Sequence, residues 1–233
     1  MEARRDEAHE QSRNVWDAMA SGWELSRDAM WAFSGAVSEW LIENVNARPG
    51  QTILDIAAGL GETGFLAARQ VRDSGRVIVT DFAPNMVASA RRRAARLGIT
   101  NAEFRELDAQ RMDLPSASVD GVVCRWGFMV MTDPAAAFAE AYRVLRPGGR
   151  LAFSVFGVPE SNLWASLIGQ ILVTDKHIAP PEGYWWFLTE MAGAISPILR
   201  GLALEVRRRS GCAWSRRRNP SAPAMALPSP PCA

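Results

Sequence analysis

The sequence predicts an α/β domain built on a doubly wound, mostly parallel β-sheet. Short apolar stretches alternate with helical segments between residues 52 and 156, as in a sheet covered by helices on both faces. Three predicted strands carry an acid at or next to their carboxyl ends, Asp55, Asp81 and Asp108, and a fourth ends near Arg125. A glycine-rich loop joins the first strand to the next helix. Because ligands bind at the carboxyl ends of such strands, we expect these features to line one crevice.

The segment before the first strand is predicted to be helical. Residues 1–12 are charged and are expected to be disordered. Helices are predicted over 13–20 and 27–45. In the second of these, apolar residues recur every three or four positions, at Met30, Phe33, Val37, Leu41 and Val45.

Strands and helices then alternate. Helices are expected over 62–71, after the glycine loop, from Pro84 to the stop at Gly98, and from Asp133-Pro134 to the Pro-Gly-Gly turn at 147–149. The predicted strands are 52–56, 76–80, 103–107, 119–124 and 150–156.

The remainder is less regular. We expect residues 158–218 to form a cap over the substrate region, with helices over 163–173 and 184–199. A hairpin of 203–209 with 212–217 would supply terminal strands. Residues 219–233 are rich in Pro, Ser and Ala and are expected to form a disordered tail.

The amino-acid composition argues against several classes of protein. The 233 residues are 48% hydrophobic, with no apolar run as long as a membrane span and no signal-like N-terminus, so a cytoplasmic protein is expected. Three cysteines and two histidines without metal-ligand spacing argue against a disulfide framework or a metal site. The formal net charge of +1 gives no general attraction to nucleic acid or acidic lipid.

The loop Gly59-x-Gly61-x-x-Gly64 indicates a nucleotide-like cofactor. Gly59 and Gly61 let a ligand approach the backbone, and the following helix presents unpaired N–H groups. The spacing also fits a dinucleotide fingerprint, and Asp81 is placed for ribose hydroxyls in either case. Asp55 favours a cofactor that carries an ammonium and a sulfonium group over a dinucleotide. Its negative charge would attract those cationic groups but would not attract a pyrophosphate.

With Asp55 and the turn Arg146-Pro147-Gly148-Gly149-Arg150, the chain resembles the class I S-adenosyl-L-methionine-dependent methyltransferases, most closely their UbiE-type, methyltransferase type 11-like small-molecule branch. The resemblance covers residues 13–157 and implies a Rossmann-like cofactor domain. It also implies transfer of a methyl group to O, C or N of a small hydrophobic or aromatic acceptor by in-line displacement.

The resemblance assigns cofactor contacts residue by residue. Asp55, Ala57, Gly59 and Gly61 would surround the methionine end, and Asp81 would bind the ribose hydroxyls. Two alternatives stay open: Asp108 only caps a turn, and Met86 is a core residue. The remaining expected contacts are Phe82 and Met86 on the adenine face, Asp108 and Ala109 at the adenine edge, and the backbone carbonyl of Arg125 at the floor.

Trp23 and Trp126 are expected to border the crevice and line the substrate pocket. No catalytic base is assigned. Relatives should also carry a final antiparallel strand pair, for which the chain is short, so we hypothesise a truncated or frame-altered C-terminal part. A truncated, non-catalytic paralogue that binds cofactor or a partner, and an NAD(P)-dependent oxidoreductase, remain as alternatives. The oligomeric state is open.

Overall fold

The computed structural model describes residues 2–157, with side chains from Asp6 onward. The predicted cap, terminal strands and disordered tail lie outside the described residues, as does the hypothesis of an altered C-terminal part.

The N-terminal segment is one helix, α1 (Glu2–Val45), of 44 residues. The predicted disorder of residues 1–12 is therefore wrong for residues 2–12, and the predicted break between residues 20 and 27 is absent. Tertiary contacts account for the difference, since local propensity is weak beside packing. Met19 and Ala20 are buried against the domain, and Ser26 Oγ donates to the carbonyl of Gly22 at 2.5 Å within the helix.

The sheet has five parallel strands in the order β3-β2-β1-β4-β5. This order confirms the predicted doubly wound architecture, since the chain moves outward from β1 on one side and then on the other. The last strand begins before the predicted residue 150, and its pairing with β4 shifts register between Val119 and Gly121. The strands are β1 (Thr52–Asp55), β2 (Arg76–Asp81), β3 (Ala102–Glu106), β4 (Val119–Arg125) and β5 (Leu145–Ser154).

The helices that connect the strands begin where the sequence predicts, and the first two also end there. The third ends at Val144, before the predicted stop at 147–149, because the Pro-Gly-Gly turn lies in the last strand. The helix after β2 has Pro84 in its first turn and ends at Gly98, which is in the left-handed conformation. In the helix before β5, Asp133 caps the N-terminus by accepting a hydrogen bond from the Ala136 amide. These helices are α2 (Glu62–Val71), α3 (Pro84–Leu97) and α4 (Pro134–Val144), and a short 3-10 helix, Phe128–Val130, precedes α4.

Apolar side chains fill both faces of the sheet. Ile53 packs with Leu41, at the C-terminal part of α1, and with α2 and α3, whereas its neighbour Leu54 packs with Phe128 and α4 on the opposite face. Consecutive strand residues point to opposite faces, so a fully buried strand reads as a continuous apolar run. None of the helices described between residues 2 and 157 is long and apolar enough to cross a membrane.

Two leucines of α1 provide a matched test of this packing. Leu41 is fully buried, whereas Leu25 is 60% exposed. We expect Leu41→Ala to lower the free energy of unfolding by about 2–5 kcal/mol through lost contacts and a residual cavity. Leu25→Ala should change it by less than about 0.5 kcal/mol. Urea denaturation measures both, and equal effects of the two substitutions would contradict the docking of α1 on the sheet.

Candidate functional site

The carboxyl ends of the three central strands bring charged residues to one edge of the sheet. Asp55 ends β1, Asp81 ends β2 and Arg125 ends β4. Asp55 lies opposite Val79 of β2 and Val123 of β4 in the parallel register. Asp108 follows β3 by two residues. The sequence prediction that these four residues meet at one edge is therefore consistent with the register of the strands.

The glycine loop between β1 and α2 depends on left-handed backbone. Gly59 and Gly61 have φ angles of 57° and 86°. A Cβ atom added to Gly61 would meet the Phe65 ring at 2.6 Å, and one added to Gly64 would lie 2.9 Å from Asp55 Oδ2. Ala57 also has a positive φ, 52°, which is uncommon for a residue with a side chain. The loop thus stays close to the strand end that carries Asp55.

Asp81 holds the loop to the start of α3. Its Oδ2 accepts a hydrogen bond from the Gly59 amide at 2.9 Å, and its Oδ1 accepts one from the Ala83 amide at 3.0 Å. The residue is 8% exposed, and burial raises its pKa to about 6 although the amides of Ala83, Gly59 and Phe82 favour the charged form. Both oxygens have backbone donors and retain lone pairs that a ligand hydroxyl can use.

Asp55 is the most deeply buried charged group of the site. It is 1% exposed, and its Oδ2 has no hydrogen-bond partner among the described residues. Burial raises its pKa to about 7, the positive charge of Arg125 and the nearby Gly64 amide oppose that rise, and the carboxylates of Asp81 and Glu62 add to it. Buried acceptors are normally hydrogen-bonded, and a cationic group of a ligand would provide the partner that this oxygen lacks.

Asp108 contacts both its own turn and α1. Its Oδ1 accepts a hydrogen bond from the Gln110 amide at 2.8 Å, and its Oδ2 lies 3.1 Å from His9 Nε2. The His9 ring also lies 5.5 Å from the Phe82 ring. Asp108 therefore caps its turn through Oδ1, as the turn-capping alternative expects. Its Oδ2 lies instead against His9 of α1.

Two of the predicted adenine contacts lie inside apolar clusters. Met86 is 1% exposed and packs with Met19, Leu60 and Ala83, as its core alternative expects. Ala109 is 7% exposed in the cluster beneath β3 and β4. Their role as cofactor contacts remains a prediction.

Helix α1 covers the crevice, which the sequence did not predict. Arg13 Nε donates to the carbonyl oxygen of Phe82 at 2.9 Å, and the Trp23 ring packs over the glycine loop, within van der Waals reach of a Cβ atom placed on Gly59. The cavity left between α1 and the strand ends holds only about 10 Å³, room for one water. Its lining residues are Trp23, Arg27, Met30, Trp31, Ser34, Leu60, Glu62 and Arg125.

The signal for these α1 contacts was present in the sequence. His9, Arg13 and Asp17 recur at four-residue spacing, and each contacts the cofactor edge: His9 meets Asp108, Arg13 meets Phe82, and Asp17 accepts from the Asn85 amide at 2.7 Å. Such spacing places side chains on one helix face. Of the three, His9 lies in residues 1–12, for which the sequence predicts disorder, so the stripe is not recognised from the sequence.

Arg125 extends its side chain toward α1. Its Nη1 donates to Ser34 Oγ at 2.6 Å and to Ser38 Oγ at 2.9 Å, and its guanidinium lies 5.5 Å from the centre of the Trp126 ring. Burial lowers the pKa of Arg125, and Asp55 and Glu62 oppose that change. The sequence had assigned only its backbone carbonyl to the site.

Trp126 belongs to an aromatic stack next to Arg125. Its ring lies 5.5 Å from Phe33 and 5.1 Å from Phe156. Like Ala57, it has a positive φ, 60°. Trp23 and Trp126 thus both border the region of the crevice, and their predicted part in a substrate pocket remains a prediction.

Comparison with known proteins identifies the domain. Residues 53–149 match the family described as a methyltransferase domain. The ubiquinone/menaquinone biosynthesis C-methyltransferase UbiE of Marinomonas sp. is 32% identical over 170 residues, which cover 71% of this chain and 66% of that protein. The UbiE proteins of Teredinibacter turnerae and Cellvibrio japonicus are likewise 32% identical, with 63% and 64% of their lengths covered. The chain thus spans just under two thirds of these curated relatives.

Solved structures agree on the fold. A candidate S-adenosyl-L-methionine-dependent methyltransferase of Methanococcus maripaludis superposes with a TM-score of 0.54 at 20% identity, covering 84% of each chain. A candidate methyltransferase of Haloferax volcanii, solved in complex with the Trm112 methyltransferase activator, gives 0.56 at 24% identity, covering 68% of this chain and 65% of its own.

These findings confirm the predicted fold and resemblance. Residues 53–149 match a methyltransferase domain and the chain is similar to the UbiE proteins, which supports S-adenosyl-L-methionine as the cofactor.

The burial of Asp55 generates a prediction about pH. Its pKa is raised to about 7 in the folded protein, above its ordinary value of 3.8. Between these values the folded protein binds the proton more tightly than the unfolded chain, so the contribution of Asp55 to stability falls as pH rises. The free energy of unfolding of Asp55→Asn, relative to the original protein, should therefore rise by a few kcal/mol between pH 4 and pH 7.

Urea denaturation at a series of pH values measures this difference. Asp73→Asn is the matched control, because Asp73 is an exposed acid in the loop between α2 and β2. Its difference from the original protein should stay constant over the same range. A constant difference for Asp55→Asn as well would contradict a raised pKa at Asp55.

Proposed function

We propose that this chain is an S-adenosyl-L-methionine-dependent methyltransferase that acts on a small hydrophobic or aromatic acceptor at O, C or N. The match of residues 53–149 to a methyltransferase domain supports this proposal. The observation that carries the proposal is the unpartnered carboxylate oxygen of Asp55, buried at the end of the central strand beside the glycine loop. The cofactor's ammonium and sulfonium groups have the charge that such an oxygen requires.

The residues present fit this cofactor. Gly59 and Gly61 keep the loop free of side chains where the ligand would lie, and Asp81 offers lone pairs on both oxygens to the ribose hydroxyls. The cofactor supplies an activated methyl group. The protein's part is to orient the cofactor and the acceptor and to exclude water, since in-line displacement needs alignment more than acid–base catalysis.

Binding requires α1 to move. The cavity of about 10 Å³ is far too small for a nucleoside, and Trp23 lies over the glycine loop. The contacts of His9, Arg13 and Trp23 along the crevice would therefore have to rearrange when the cofactor enters. The same segment could then close over the bound cofactor and exclude water from the reacting atoms.

The aromatic stack supports an apolar acceptor. Phe33, Trp126 and Phe156 lie beside Arg125 at the end of β4, adjacent to the proposed methionine end of the cofactor. Flat apolar surfaces of this kind suit planar or hydrophobic ligands. A cytoplasmic location and the absence of a nucleic-acid partner remain predictions from composition.

A non-catalytic relative is the second candidate, because the chain spans just under two thirds of its curated UbiE relatives. Such a protein would bind S-adenosylhomocysteine without methylating any acceptor. The oxidoreductase alternative instead requires binding of NAD, whose pyrophosphate would not be attracted by the negative charge of Asp55.

Asp81→Asn tests the proposed cofactor site. The substitution removes the charge and one acceptor oxygen while keeping the shape, so S-adenosylhomocysteine should bind about 10- to 100-fold more weakly. Isothermal titration calorimetry measures this affinity, and far-UV circular dichroism checks that the variant is folded. Asp113→Asn, at an exposed acid outside the crevice, should bind like the original protein.

Titration of the original protein with NAD completes the test. We expect S-adenosylhomocysteine to bind and NAD not to bind. Binding of NAD alone would replace the proposal with the oxidoreductase alternative, and an unchanged affinity of a folded Asp81→Asn variant would remove Asp81 from the site.

A further inference from the structure

Arg125 and Asp55 carry opposite charges at the ends of neighbouring strands without forming an ion pair. Asp55 lies opposite Val123 of β4, and Arg125 ends that strand two residues later, so the two residues are near one another. Yet among the described residues no carboxylate lies within 4.0 Å of the Arg125 guanidinium. The two charges are therefore neighbours at the edge of the sheet without being in direct contact.

The guanidinium of Arg125 is held in place but keeps free donors. Its Nη1 is fixed by Ser34 and Ser38, and each serine hydroxyl is itself anchored, Ser34 by donating to the Met30 carbonyl at 2.7 Å and Ser38 by contacting Thr63 Oγ1 at 3.0 Å. Arginine has five N–H donors, and in the described structure those on Nε and Nη2 have no partner. A half-buried, oriented guanidinium with free donors is suited to a carboxylate.

The other acid near Arg125 is already paired. Glu62 Oε1 lies 2.6 Å from Arg93 Nε, so its charge is compensated by an arginine of α3. Asp55 keeps one oxygen without a partner. The edge of the sheet thus carries one carboxylate oxygen without a partner, on Asp55, and one guanidinium with free donors, on Arg125; of the two residues, Arg125 lines the small cavity beneath α1.

We propose that Asp55 and Arg125 together form a receptor for a zwitterion, in which Asp55 takes an α-ammonium group and the Arg125 side chain takes the α-carboxylate of the same ligand. The inference rests on the proposed function, since the ligand with these groups is the amino-acid end of the cofactor. It assigns to the side chain of Arg125 a specific role in selecting ligands that carry a carboxylate.

The carboxylate has a second conceivable source, an acidic acceptor, because Arg125 also lies beside the aromatic stack of Trp126. The position of Asp55 favours the cofactor. An ammonium and a carboxylate on one carbon can satisfy both charges at once, whereas an acidic acceptor would leave the Asp55 oxygen without a partner.

Two ligands separate these sources. S-adenosylhomocysteine carries the amino-acid end, and 5′-methylthioadenosine has the same nucleoside and sulfur without it. In calorimetric titrations we expect Arg125→Gln to weaken S-adenosylhomocysteine about 10- to 100-fold and to leave 5′-methylthioadenosine within about threefold. Arg69→Gln, at an exposed arginine of α2, is the control and should alter neither affinity.

Equal weakening of the two ligands would overturn the proposal, because Arg125 would then act on the nucleoside or on the fold. Unchanged binding of S-adenosylhomocysteine would also overturn it and point to an acidic acceptor, while leaving the proposed function intact. Failure of the original protein to bind either ligand would overturn the proposed function and this inference together.

A milder variant keeps the test decisive if Arg125→Gln does not fold. Ser34→Ala removes one of the two hydroxyl anchors of the guanidinium and keeps its charge. We expect it to weaken S-adenosylhomocysteine by a few-fold while 5′-methylthioadenosine is unaffected. An equal effect on the two ligands, or none on either, would again overturn the proposal.

Discussion

The burial of the Asp55 carboxylate at the end of the central strand is the constraint on which the site depends. Gly64 must lack a side chain because a Cβ there would lie 2.9 Å from this carboxylate, and Arg125 stabilises the charged form from the neighbouring strand. Removing a carboxylate from water is unfavourable unless a charge or donor compensates. Burial of the Asp55 carboxylate therefore lowers the stability of the fold and places an acid where a ligand can bind it.

Helix α1 links this constraint to ligand access. Its C-terminal half is part of the core through Leu41, whereas its first half contributes His9, Arg13 and Trp23 to the surface of the crevice. The first half also places Met19 and Ala20 in an apolar cluster with Met86, whereas its contacts through His9 and Arg13 are polar and only partly buried. One helix can thus remain attached to the domain while the part over the cofactor edge rearranges.

The sequence predicted the sheet well because its signals are local. Apolar runs, Gly98, the Asp133-Pro134 cap and the glycine loop each specify their own element, and the parallel register then brings Asp55 and Asp81 together. Continuity of α1 and the side-chain role of Arg125 could not be predicted in this way. Both depend on contacts between residues far apart in the sequence: Arg125 with Ser34 and Ser38, and Met19 with Met86.

A crystal structure of the protein with S-adenosylhomocysteine would show whether the buried Asp55 carboxylate receives a cationic group of the ligand. We expect the ribose hydroxyls at Asp81, the amino-acid end between Asp55 and Arg125, and the first half of α1 displaced from the glycine loop. A ligand bound elsewhere, or one in the crevice with Asp55 still lacking a partner, would contradict this expectation.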